Sequence, residues 1–164
     1  MQKKIIALAA ALLLLLSLCS CAKAARFDYS ELEKRLCRIS PDYAFDYENC
    51  FLSDGVYYIY YSFGEIKNVL LTAEEDSSCR LTRLSLTLLY TENAELCGKY
   101  AALSEALCRC FVPGCVPDAL LSELELYTVS GYFSDVTKSS VCGRYSLSRL
   151  SSCTGICFTL SLEA

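Results

Sequence analysis

Between Tyr43 and Phe51 large apolar side chains recur at a period of two, which commits that stretch to a β-strand. Tyr43, Phe45, Tyr47 and Phe51 oppose Asp46, Glu48 and Cys50, the pattern of a half-buried strand. Ser53-Asp54-Gly55 then turns the chain into Val56–Phe63, a dense aromatic strand. Two turns compete. A two-residue Asp54-Gly55 loop pairs Phe51 with Tyr58 and sets Ile59 and Phe63 against the charged face. A three-residue loop with Gly55 left-handed pairs Phe51 with Tyr57 and Tyr47 with Tyr61, bringing the aromatic faces together. The second register is the expected one.

Around this hairpin the signals alternate between periods. Asp28–Ile39 has Leu32, Leu36 and Ile39 on one side, an amphipathic helix that Pro41 stops. Gly64-Glu65 predicts a tight turn into a strand over Ile66–Glu74. After a polar turn, Leu84, Leu86 and Leu88 alternate with Arg83, Ser85 and Thr87 along Leu81–Tyr90. Thr91 or Asn93 caps a long helix to about Phe111, whose stripe is Leu96, Tyr100, Leu103, Leu107 and Phe111. Glu95–Lys99 and Glu105–Arg109 support it at i,i+4 spacing. Pro113, Gly114 and Pro117 precede a short helix at Asp118–Leu124; the stretch 126–133 reads as a poor strand. Arg144–Leu150 and Ile156–Leu162 close the chain as a hairpin, with Ile156, Phe158, Leu160 and Leu162 inward. The expected class is α+β: an antiparallel sheet, a four-strand meander plus a C-terminal hairpin, with helices on one face.

The first residues stand outside this fold. Lys3 and Lys4 precede an apolar run that ends at Leu18-Cys19-Ser20-Cys21, which reads as an export signal over 1–20 and is too short to span a bilayer. Leu18-Cys19-Ser20-Cys21 resembles the lipobox of bacterial lipoproteins, although Cys19 stands where that pattern normally has Ala, Ser or Thr. The resemblance implies that Cys21 is diacylated on sulfur, becomes the mature N-terminus and anchors the protein at the extracytoplasmic face of the membrane. Residues 21–26 then form a short tether, and 27–164 one domain. Ala22-Lys23-Ala24 offers ordinary signal cleavage as the alternative, giving a secreted product.

Loss of Lys3 and Lys4 moves the net charge from −4 to −6. An acidic domain lacks the basic face that nucleic acid requires, and it carries no polybasic patch for anionic lipid. The chain has no histidine, which removes His-based triads, Cys–His pairs and His metal sites. No catalytic residue, metal site or cofactor is read from the sequence.

Ten cysteines follow Cys21: Cys37, Cys50, Cys79, Cys97, Cys108, Cys110, Cys115, Cys142, Cys153 and Cys157. An even, dense set in an exported chain is a candidate disulfide framework whose pairing the sequence does not give. The equal alternative is small apolar filler, because free Cys is among the most buried residues. Cys108-Arg109-Cys110 with Cys115 is the tightest cluster, but Cys108 and Cys110 diverge on a helix and match no zinc spacing. Glu74-Glu75-Asp76 lacks the spaced oxygens of a calcium loop and reads as a solvated turn.

The best surface candidates are Tyr58 and Tyr60. With Tyr57, Ile59, Tyr61 and Phe63 packed beneath the long helix, these two lie on the opposite sheet face. There tyrosines serve either as packing under some cover or as contacts to peptide, glycan or protein. The leading expectation is therefore a binding or accessory module of the cell envelope with an unknown protein partner. The alternative is an envelope hydrolase or thiol–disulfide redox enzyme.

Overall fold

The computed structural model describes residues 27–112, 114, 116–128 and 132–162. The export signal, the tether, Cys21 and Cys115 lie outside the described residues. Helix α1 is Tyr29–Ile39, opened by the Asp28 carboxylate, which accepts from the Ser30 and Glu31 N–H groups. A 3₁₀ turn at Pro41–Tyr43 follows, so Tyr43 joins the core from a turn and not from the strand the alternation predicted. Strands β1 (Phe45–Ser53), β2 (Val56–Phe63), β3 (Val69–Glu75) and β4 (Leu81–Leu89) make the meander. Helix α2 (Ala94–Phe111) is capped by Asn93, and α3 spans Pro117–Glu123. Strands β5 (Val136–Cys142), β6 (Tyr145–Ser152) and β7 (Gly155–Leu162) complete the chain.

All strands join one antiparallel sheet in the order β1-β2-β3-β4-β7-β6-β5. The C-terminal hairpin enters through β7 beside β4, and β5 extends it with a strand the sequence did not reveal. Residues 124–127 form turns instead of the expected strand over 126–133, of which 129–131 lie outside the described residues. The β2–β3 connection is also longer than a tight turn: it runs through Gly64–Asn68, buries Ile66, and uses a left-handed Asn68 (φ 63°).

The helices cover one face. Ile59, Tyr61, Phe63, Leu71, Ala73, Leu84, Leu86, Leu88, Phe158 and Leu160 point toward them and are buried with Leu32, Leu36, Tyr100, Leu103 and Leu107 in one core. The predicted α2 stripe is inward, with Leu96 and Phe111 at its half-buried margins, and both predicted ion pairs form. No helix among the described residues is long and apolar enough to cross a membrane.

Tyr100 does more than fill space. Its hydroxyl accepts from the Phe158 N–H (2.9 Å) and donates to the Leu86 carbonyl (2.8 Å). Leu86 and Phe158 are partners across β4 and β7, so the phenol is spliced into the seam between the meander and the C-terminal strands. Burial holds its pKa well above that of a free tyrosine, so the hydroxyl stays protonated and able to donate.

Candidate functional site

The first hairpin decides what the uncovered face presents. Asp54 (φ 51°) and Gly55 (φ 78°) both adopt the left-handed conformation, as a type I′ two-residue turn requires. Ser53 therefore pairs with Val56 and Phe51 with Tyr58, which corrects the expected Phe51–Tyr57 pairing. The expected Tyr47–Tyr61 pair nevertheless forms, because the register shifts by one residue between Tyr47 and Asn49. Glu48 is the extra residue of a β-bulge. Below the bulge Phe45 and Tyr47 belong to the helix-covered side; above it Phe51 crosses to the other side.

That crossing builds an aromatic cluster. Tyr58 and Tyr60 lie on the uncovered face, where the sequence placed them, and both are half-buried. The Phe51 ring stacks on both, with centroids 5.1 Å from Tyr58 and 5.6 Å from Tyr60 and planes 20° apart in each case. Phe51 itself remains 46% exposed. Three rings thus form a layered apolar patch at the first corner of the sheet, beside the Glu74 carboxylate that pairs with Arg83 at 3.3 Å. Phe51 was missed in the sequence because alternation alone cannot show a bulge. The Asp54-Gly55 dipeptide was the available signal, since it favours the two-residue turn.

Away from the patch, the same face is a field of hydroxyls. One row runs straight across the sheet from Tyr60 through Thr72, Ser85, Thr159 and Ser148 to Ser139. Ser85 Oγ and Thr159 Oγ1 lie 3.3 Å apart within it. Within strands β3 to β7 the charged side chains on this face are Glu74 and Arg83, and Asp135 adds a carboxylate at the far corner just before β5. At the far corner a depression of about 520 Å³ is lined by residues that include Thr87, Leu89, Asp135, Thr137, Leu150 and Cys157. The Thr87 hydroxyl approaches the Cys157 thiol at 3.5 Å.

The remaining cysteines are scattered. Cys97 and Cys108 are buried on α2, Cys37 and Cys110 are half-buried on α1 and α2, and Cys142 is half-buried at the end of β5. Cys50 is exposed on β1, Cys153 is exposed in the β6–β7 turn, and Cys79 is half-buried in the β3–β4 turn. No disulfide joins any two of the described cysteines. Burial pushes the thiols of Cys37, Cys97 and Cys110 up, opposite to the shift a nucleophilic or redox-active cysteine needs.

The acidic run after β3 also separates. Glu74 faces Arg83, and Asp76 accepts from the Ser78 and Arg80 N–H groups and from Arg80 Nε. Glu75, expected in a solvated turn, is buried on the helix side, where it accepts the Tyr29 hydroxyl at 2.6 Å. The three carboxylates have separate tasks, and no group of metal-ligating side chains converges among the described residues. The sequence reading also missed Arg149, buried on the helix side of β6. It donates through Nη1 to the Glu125 carbonyl (2.7 Å) and lies 5.6 Å from the Tyr132 ring centroid, tying the segment after α3 to the sheet.

Comparison with protein-family models, curated proteins and solved structures finds no match.

Proposed function

We propose that this chain is a membrane-anchored extracytoplasmic binding module that works by protein contact through its uncovered sheet face, centred on Phe51, Tyr58 and Tyr60. The Phe51 stack carries the reading: three aromatic rings gather on the face that none of the described helices covers. Aromatic side chains bring large contact area at small entropic cost, which is why they anchor protein interfaces. The surrounding hydroxyls supply donors and acceptors without the desolvation penalty of charges. A face needed only for solubility would favour interspersed Lys and Glu, and this one holds a single such pair across β3 to β5.

The anchor rests on the lipobox-like Leu18–Cys21 segment. Phe27, where the described chain begins, packs on Phe111 with centroids 5.3 Å apart. The described chain therefore begins on the helical layer, on the side of the sheet opposite the aromatic face. Metabolic labelling with a radioactive fatty acid tests the anchor: wild type takes up label and Cys21→Ser does not. An unlabelled wild type, or label retained in Cys21→Ser, refutes it. Site-specific photo-cross-linking in native membranes tests the face. A photoreactive residue at position 60 gives a discrete adduct that Phe51→Ala removes, whereas one at the exposed Ile39 position, at the end of α1 on the helix side, does not. Equal adducts from both positions, or none at 60, would count against it.

A further inference from the structure

The two edges of the sheet are built differently, and we propose that the β5 edge is a dimerisation strand that pairs antiparallel with β5 of a second copy of this chain. At the β1 edge the structure obstructs strand addition. The Phe45 N–H is taken by Glu33 Oε1 at 3.3 Å, and the outward Cys50 N–H is taken by Asn49 Oδ1 at 2.8 Å. The bulge at Glu48 further distorts that edge, and Asp46 and Glu48 flank it with charge.

The β5 edge has neither the capped N–H groups nor the bulge, and its one charge, Lys138, lies on the helix side, paired with Glu125. Cys142 and Tyr145 flank a two-residue turn with Gly143 at φ 62°, so they form a hydrogen-bonded pair and the register to Val136–Ser151 continues without a shift. Residues 142, 140, 138 and 136 consequently bond β6. The N–H and C=O groups of Thr137, Ser139 and Val141 point out along the edge, and no hydrogen bond to them occurs among the described residues. Val-Thr-Lys-Ser-Ser-Val-Cys contains no proline or glycine, and Val141 is 64% exposed. Such an edge is a template for another strand.

The second copy is the occupant because β5 complements itself. Antiparallel pairing centred on Ser139 sets Thr137 against Val141 and Ser139 against Ser139, with about six backbone hydrogen bonds. On the helix side it sets Lys138 opposite Ser140 of the second copy. Ser140 donates to its own Glu123 carboxylate at 2.8 Å, so the Lys138 ammonium arrives beside the Glu123 of the second copy while keeping its own Glu125 at 3.0 Å. The contact repeats by symmetry, as a two-fold interface demands. The two-fold axis is normal to the sheet. Both hydroxyl faces therefore look the same way and fuse into a platform roughly 60 Å wide, at about 4.8 Å per strand. The pairing does not depend on lipid anchoring or on any other partner.

The test is the mass of the full chain in mild detergent, by sedimentation equilibrium. The wild type is expected to sediment as two copies at micromolar concentration. Ser139→Pro removes only an outward N–H, a position where an edge strand tolerates proline, and is expected to sediment as one copy with an unchanged circular-dichroism spectrum. Lys138→Glu places like charges across the interface and is expected to weaken the dimer by about tenfold or more; adding Glu123→Lys is expected to restore it. A single-copy wild type would overturn the proposal, as would a dimer unaffected by Lys138→Glu. Should Ser139→Pro fail to fold, the charge reversal and its rescue decide alone.

Discussion

The two faces of this sheet obey the same alternation and hold different chemistry. On the helix side Leu71, Leu86, Leu88 and Phe158 are almost wholly removed from water. On the other side their immediate neighbours are Thr72, Ser85, Thr87 and Thr159. Phe158 and the threonines are strand-preferring residues, while the leucines are held in the strands by burial. Only the inner set is fixed by packing. Stability therefore resides on one face, and the residue choices on the other, aromatic at one corner and hydroxyl-rich across most of the rest, are not dictated by core packing.

That contrast can be broken by substitution. Leu86→Ala, at a fully buried site, is expected to cost about 2–5 kcal/mol in denaturant unfolding from lost transfer energy and the cavity left behind. Tyr100→Phe keeps the ring but removes the hydroxyl that bonds the Phe158 N–H and the Leu86 carbonyl at the β4–β7 seam, and is expected to cost about 0.5–1.5 kcal/mol. Ser85→Ala, directly beside Leu86 on the uncovered face, is expected to stay within about 0.5 kcal/mol of wild type. A Ser85→Ala penalty as large as that of Leu86→Ala would show that the outer face is part of the folding core and would dissolve the distinction.

Much of the inner face was legible in the sequence, for a physical reason. Alternating leucines in β4 and a helical stripe from Leu96 to Phe111 can be satisfied only by burial against one another. What escaped were features set by single backbone or polar events. The bulge at Glu48 leaves no trace in alternation, so Phe51 was assigned to the wrong face although Tyr58 and Tyr60 were placed correctly. Strand β5 escaped because its inward positions, Val136, Lys138, Ser140 and Cys142, are only half-buried at a sheet edge and have no need to be apolar. Glu75 and Arg149 escaped because a charged residue is expected in water unless its partner is known, and both partners come from distant segments.

The most direct test compares the reactivity of the outer face in two settings. Hydroxyl-radical footprinting is applied to the protein in its native membrane and to the same protein purified, with Tyr90, 53% exposed at the opposite end of β4, as the internal reference. If the uncovered face is the working surface, oxidation of Phe51, Tyr58 and Tyr60 falls several-fold in the membrane while Tyr90 is unchanged. Equal oxidation of those three rings in both settings would contradict it.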